Sequence, residues 1–172
     1  LAEKSSPRPL KLPHPLQKPL IRGFLGMLFW DEGEAMKIDD LTIGMEIDND
    51  TLREIFGCSS QGGMRRSKRT NTLVLISNRV TSTYTDDWDG DTLLYTGMGQ
   101  KGDQSLTFAQ NKTLAESNSN GVTVHLFEVH QRKVYTYCGV VKLVKEPYPS
   151  VQEDASGEKR KVYIFPIRPI AS

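Results

Sequence analysis

The sequence predicts an α+β domain that is mostly β: a strongly bent antiparallel sheet or partial barrel with one or two flanking helices. Three observations lead to this class. From residue 72 onward the chain offers six runs rich in Val, Thr, Tyr and Ile, at 72–77, 80–84, 92–96, 122–129, 133–144 and 161–167, and several alternate polar with apolar residues as half-buried strands do. Only 51–56 and 105–117 carry helical spacing. With 172 residues, 37% of them hydrophobic, and a net charge of +1, the chain suits one soluble domain and is too apolar to be wholly disordered. The same charge excludes a polycation that holds nucleic acid by bulk charge, so any anion-binding surface has to be local.

Taken in order, residues 1–35 stand apart. Five of the nine prolines (Pro7, Pro9, Pro13, Pro15 and Pro19) fall there without apolar periodicity, which reads as an extended arm or, equally, as a leader or linker. The ordered domain is expected over 36–172. The longest apolar stretch, Leu20 to Trp30, is interrupted by Arg22 and is far short of the roughly 20 residues that cross a bilayer, so neither a membrane span nor an export signal is expected. Thr51 followed by Glu54 makes a capping-box pattern that opens the first helix, and Gly57 closes it. Leu106, Ala109 or Gln110, and Leu114 share one side of the second. The remaining runs form the sheet. Cys58 and Cys138 have no Cys or His partner at a zinc spacing, so neither a disulfide scaffold nor a metal site is expected, and a reducing, cytoplasmic location fits.

Charge is segregated along the chain. Between Asp31 and Glu54 there are nine acids against Lys37 and Arg53, whereas Ile55 to Thr85 holds no acid and five bases, Arg65, Arg66, Lys68, Arg69 and Arg79. The stretch "GCSSQGGMRRSKRTN" (57–71) therefore combines glycines that let a backbone approach closely, hydroxyl and amide donors, and forked guanidinium donors suited to phosphate. Gln61, Gly62, Gly63, Arg65, Arg66, Lys68 and Arg69, with Lys101 further on, are the candidate contacts to a DNA backbone. A merely solvated basic loop is the competing reading.

The segment "YTDDWDGDTLLYTGMGQKGDQ" (84–104) is the least ordinary. Its Gly97, Gly99 and Gly102 satisfy the dinucleotide spacing GxGxxG, but no parallel βαβ series follows and a turn is the better reading. Its acids lack the distal Glu of an EF-hand. Aromatic faces beside a carboxylate are what a pocket needs to hold a planar base and accept from its amino group; a tight acidic turn with its aromatics in the core is the alternative. No nucleophile, base and orienting-group set is evident, so no catalytic residue, metal or cofactor is assigned.

The order of these motifs, "GGMRRSKRTN", "VLIS", "YTDDWDGDTLLYTGMGQKGDQ", "NKTL", "VTVHLFEV" and "YTYCGVVKLV", resembles the SRA-like (PUA-like) domains over about Met36 to Pro169. The compact form is most similar to the DNA-binding domains of modification-dependent, type IV restriction endonucleases. There a reader precedes an HNH nuclease; one branch recognises phosphorothioate DNA and others flip out 5-methyl- or 5-hydroxymethylcytosine. The resemblance implies that Tyr84, Asp87, Tyr95 and Thr96 lie at the base pocket and that 65–69 is a DNA-contacting loop. Trp88 departs from methylcytosine readers, as does the missing long basic finger. Reading sulfur instead calls for a small apolar contact beside positive charge, which Met64 next to Arg65 and Arg66 could supply. Met64, Ser67, Tyr84, Asp87, Trp88, Tyr95 and Thr96 form the candidate modification pocket. The expected function is recognition of modified double-stranded DNA, phosphorothioate first and modified cytosine second, with the nuclease domain elsewhere in the full-length protein and a homodimer left open. A small-ligand-binding or structural β-barrel is the alternative from another class.

Overall fold

The computed structural model describes residues 35–81 and 85–170. The expected arm, but for Ala35, lies outside them, as does Tyr84. After a 3₁₀ turn at Ile38–Asp40 come β1 (Glu46–Ile47), α1 (Asn49–Phe56), β2 (Met64–Ser67), β3 (Thr72–Asn78), β4 (Asp87–Asp89), β5 (Thr92–Thr96), α2 (Ala109–Ala115), β6 (Thr123–Gln131), β7 (Val134–Leu143), β8 (Tyr148–Glu153) and β9 (Lys159–Pro169). The described strands form one sheet in the order β2-β3-β6-β7-β9-β5-β4, with β1 added on β7 and β8 on β9. Every pairing is antiparallel except β3 with β6. That exception is topologically open because β4, β5 and α2 supply the long crossover a parallel pair requires. The architecture is the mostly β, bent antiparallel sheet with two helices read from the sequence.

The absence of alternation in "TLVLIS" has a packing cause. Leu73 and Leu75 of β3 join one cluster with Leu93, Leu126 and Phe165, while Val74 and Ile76 join another with Leu52, Ile55 and Phe56 of α1. A strand covered on both faces reads as continuously apolar. β7 serves both clusters through a bulge. Leu126 pairs with Gly139 but Phe127 with Tyr137, so one extra residue on β7 switches its face. Tyr137 therefore packs under α1 whereas Val141 and Leu143 enter the opposite cluster. Gly139, at φ 99°, takes the left-handed conformation this step uses.

α1 starts earlier than its sequence signal. Asp48, not Thr51, is the N-cap, its carboxylate accepting from the Thr51 amide at 2.7 Å; that bond holds the Asp48 carboxyl below the usual carboxylate range. Gly57 ends the helix at φ 65°. α2 is shorter than expected because residues 105–108 form a turn ahead of it. Four strands lay inside segments read as loops or left unassigned, the two-residue β1 among them. β2 lies in the basic run, β4 in the acidic run, and β8 carries a proline that its edge position tolerates. The expected strand at 80–84 is not seen where described: 79–81 is turn, and 82–84 lie outside.

The sheet curls because long strands hand over partners along their length. β9 pairs with β8 over Lys159–Ile164, with β5 over Ile164–Ile167 and with β7 over Ile167–Pro169. The two ends of the sheet path are thereby drawn together without forming a ladder. The Tyr95 hydroxyl of β5 donates to the Gly63 carbonyl just before β2 at 2.8 Å, and lies 3.4 Å from the Ile76 carbonyl of β3.

Candidate nucleic-acid interface

A cavity of about 320 Å³ opens where those two ends approach. β2 and the glycines before it contribute Gly63, Met64 and Arg65, β3 contributes Ile76, and the far end of the sheet contributes Asp86, Tyr95 and Thr96. The volume suits one planar base and its substituent better than a stretch of duplex.

Asp86 is a buried, doubly hydrogen-bonded carboxylate on this wall. It is 8% exposed; one carboxylate oxygen accepts from the Ser77 hydroxyl at 2.8 Å and the other from the Thr96 amide at 2.8 Å. Burial pushes its carboxyl above the usual range, and the two hydrogen bonds and the nearby Arg79 oppose that rise. Arg79 donates to the Asp86 carbonyl and lies 3.5 Å from Glu128. Glu128 also accepts from the Trp88 indole at 2.8 Å. One carboxylate on β6 thus ties down both ends of the connection between β3 and β4. The Thr96 hydroxyl accepts from Gln152 of β8 at 3.1 Å.

The loop after β5 is a scaffold and not a dinucleotide turn. Gly97 is buried, and a Cβ there would meet Asn111, Gln104 and Phe165 at 2.9 Å each. The Gln104 amide donates to the Gly97 carbonyl at 2.6 Å and accepts from Tyr163 at 2.9 Å. Asn111 of α2 closes a two-bond ring with the Met98 backbone, at 2.8 and 3.0 Å. The Tyr-Thr-Gly, Asp-Gln and Asn-x-x-Leu motifs therefore converge on one hydrogen-bonded corner that fixes the cavity wall.

The basic run divides once β2 is in place. Successive strand residues point to opposite faces, and Met64, Arg65 and Ser67 are all buried, Met64 in the core. Arg65 faces the cavity, not open solvent. Arg66 donates to the Ser67 carbonyl, to the Thr72 carbonyl at 3.1 Å and to Asn71 at 2.6 Å. Arg69 donates to the Glu54 and Ile55 carbonyls, and the Thr70 hydroxyl to that of Phe56 at 2.9 Å. These two residues satisfy carbonyls that the end of α1 leaves without helical donors. Of the expected backbone contacts, Gln61, Gly62, Gly63, Lys68, Arg69 and Lys101 are exposed and Arg66 is half-buried. Lys68 and Lys101 carry no side-chain hydrogen bond or ion pair to a described residue.

Of the expected modification pocket, Met64, Tyr95 and Thr96 line the cavity, whereas Ser67, Asp87 and Trp88 do not. The structure puts Asp86 on the wall in place of Asp87. Asp87 begins β4, is exposed, and accepts from the Trp88 amide at 2.9 Å; its neighbour turns inward to meet Ser77 and Thr96. The resemblance pointed to Asp87, whereas it is Asp86 that turns in. Gln104 and Asn111, quoted within the motifs that carry the resemblance, were given no role in the site assignment. Among the described residues no group of three or more His, Cys, Asp or Glu could hold a metal ion, and no helix is long and apolar enough to cross a membrane.

A family model described as ScoMcrA-like, SRA domain matches residues 43–172. The chain belongs to this family. Among solved structures, this SRA domain is similar to one described as the sulfur-binding domain and SRA domain of ScoMcrA complexed with phosphorothioated DNA: TM-score 0.63, 18% identity, covering 77% of this chain and 40% of the other. It is similar also to the type IV phosphorothioation-dependent restriction endonuclease ScoMcrA, with TM-score 0.63 and 19% identity over 77% of this chain and 28% of that one. The SRA domain of SUVH5 in complex with hemi-methylated CG DNA gives TM-score 0.57 and 24% identity over 77% of this chain and 90% of that one. This SRA domain spans less than half of either ScoMcrA chain. Comparison with curated proteins returned no match.

Proposed function

We propose that this SRA domain binds modified double-stranded DNA as a recognition domain of a phosphorothioation-dependent, type IV restriction endonuclease. The nuclease, of the HNH type that the resemblance implies, lies elsewhere in a full-length cytoplasmic protein. Membership of the ScoMcrA-like SRA family carries this reading, and similarity to one chain described in complex with phosphorothioated DNA supports it. Met64 beside Arg65 and Arg66 lends it no support, because Met64 is core and the Arg66 guanidinium is committed to backbone carbonyls and Asn71. Exposed Lys68 and Lys101 remain candidates for salt-sensitive backbone contact.

A second reading, a modified cytosine turned out of the helix, is favoured by the cavity itself. Tyr95 supplies an aromatic wall, Asp86 a buried carboxylate, and Thr96 backbone and hydroxyl groups within one base-sized space. The two readings divide the work naturally, since the ScoMcrA structure pairs its SRA domain with a separately named sulfur-binding domain. The test is binding of one duplex in four forms, unmodified, phosphorothioated, methylated and hydroxymethylated on cytosine, with a fluorescent base analogue beside the modified position. Tighter binding of phosphorothioate duplex without unstacking supports the first reading. Tighter binding of cytosine-modified duplex with an unstacking signal supports the second. Equal binding of all four rejects both. A homodimer would appear as two chains per duplex.

A further inference from the structure

Arg65 is a cation at 4% exposure on the cavity wall. Its Nε donates to the Gly62 carbonyl at 2.9 Å, its Nη1 to the Asn49 side-chain carbonyl at 2.7 Å, and its guanidinium carbon lies 5.7 Å from the centre of the Tyr135 ring. All three partners are neutral. No described carboxylate forms an ion pair with it, and the Cys58 thiol is its further neutral neighbour. Nearby Cys58 supplies no counter-charge, since burial pushes its thiol up and keeps it neutral. Burying a guanidinium without an anion is costly, and neutral donors would staple Gly62 and Asn49 without that cost. The charge has a use if an anion arrives with the ligand.

We propose that Arg65 forms an anion subsite in the cavity, placed to receive an anionic oxygen of the nucleotide that enters, either a carboxylate on its base or its own phosphate. This rests on the base-in-cavity reading above. The site then has two poles: Asp86 accepts from an amino group on one side, and Arg65 donates to an anionic oxygen on the other. A neutral substituent leaves the buried charge without an anion, so the cavity discriminates by charge as well as by shape.

The experiment titrates the full chain with 2′-deoxycytidine, 2′-deoxycytidine 5′-monophosphate and 5-carboxy-2′-deoxycytidine, by calorimetry or NMR. At least one anionic nucleotide is expected to bind about ten-fold or more tightly than the neutral nucleoside, the scale of one charge-assisted hydrogen bond; which of the two does so identifies the source of the oxygen. Arg65→Met, with a stem that packs and no charge, is expected to abolish the preference, and Arg65→Lys to keep part of it. Equal binding, or no binding, of all three to the unaltered chain overturns the subsite, as does a preference that survives in folded Arg65→Met. The comparison on the unaltered chain needs no variant to fold. A base analogue in modified duplex reports separately: no unstacking rejects base entry itself, whereas unstacking without nucleotide preference rejects only the role of Arg65.

Discussion

Acid should loosen this domain through His125, and the size of the effect follows from where that ring sits. His125 is 3% exposed on β6, its Nδ1 is 2.9 Å from the Tyr137 hydroxyl, and Phe56 meets its ring edge-on at 4.9 Å between centroids. No carboxylate forms an ion pair with it among the described residues. Burial lowers its pKa from 6.5 to about 4. The folded state therefore resists a proton that the unfolded chain takes up near 6.5. This contribution to stability is complete above the unfolded pKa and is lost progressively as the pH falls from 6.5 towards 4. At about 1.4 kcal/mol for each pKa unit, the loss reaches about 3 kcal/mol, a large share of the total stability of an ordinary domain. Asp86 works the other way: its pKa is raised, so its contribution is present at low pH and declines as the pH rises. Comparison with His125→Gln cancels that background, since Asp86 is common to both proteins. Urea unfolding at half-unit steps from pH 7 to pH 4 is the assay. The gap between the two stability curves should move by about 3 kcal/mol across the window. Parallel curves would show that the ring titrates alike folded and unfolded, and the argument from burial would fail.

Gly97→Ala should cost about 1–3 kcal/mol, because the new methyl meets three heavy atoms at 2.9 Å in a corner already filled by Asn111, Gln104 and Phe165; an unchanged denaturation midpoint would mean the corner yields. Asp86→Asn can still accept from the Thr96 amide and donate to Ser77, so it should be nearly neutral at pH 7, whereas Asp86→Ala strands both partners and should cost about 2 kcal/mol or more. Equal losses in the two variants would contradict this bonding. Arg69→Ala uncaps the carbonyls at the end of α1 and should lower the thermal midpoint. Lys68→Ala, by contrast, should leave the midpoint alone and reduce the salt slope of duplex binding by about one; a midpoint lowered equally by both, with no change in slope, would reverse these roles.

How much of this was legible beforehand depended on the range of the interaction involved. The strands at 92–96, 122–129, 133–144 and 161–167 were readable because side-chain periodicity is local, and "TLREIF" was readable because helix spacing and a closing glycine are. The order of motifs also sufficed for the family, as the match over residues 43–172 shows. Chain order alone could not place "MRRS". Four bases in five positions look like a solvated loop, yet pairing with β3 makes Met64–Ser67 a strand on which Met64, Arg65 and Ser67 are buried. Nor could it choose between Asp86 and Asp87, because a step of one residue on a strand reverses the face and the register comes from β5. Arg66 and Arg69 looked free for phosphate until folding brought Asn71, Thr72 and the end of α1 within reach. Composition, periodicity and motif order belong to the sequence. The cavity belongs to the curl of the sheet, which brings Gly63 of one end against Tyr95 of the other across 32 residues of chain, a contact that no local pattern encodes.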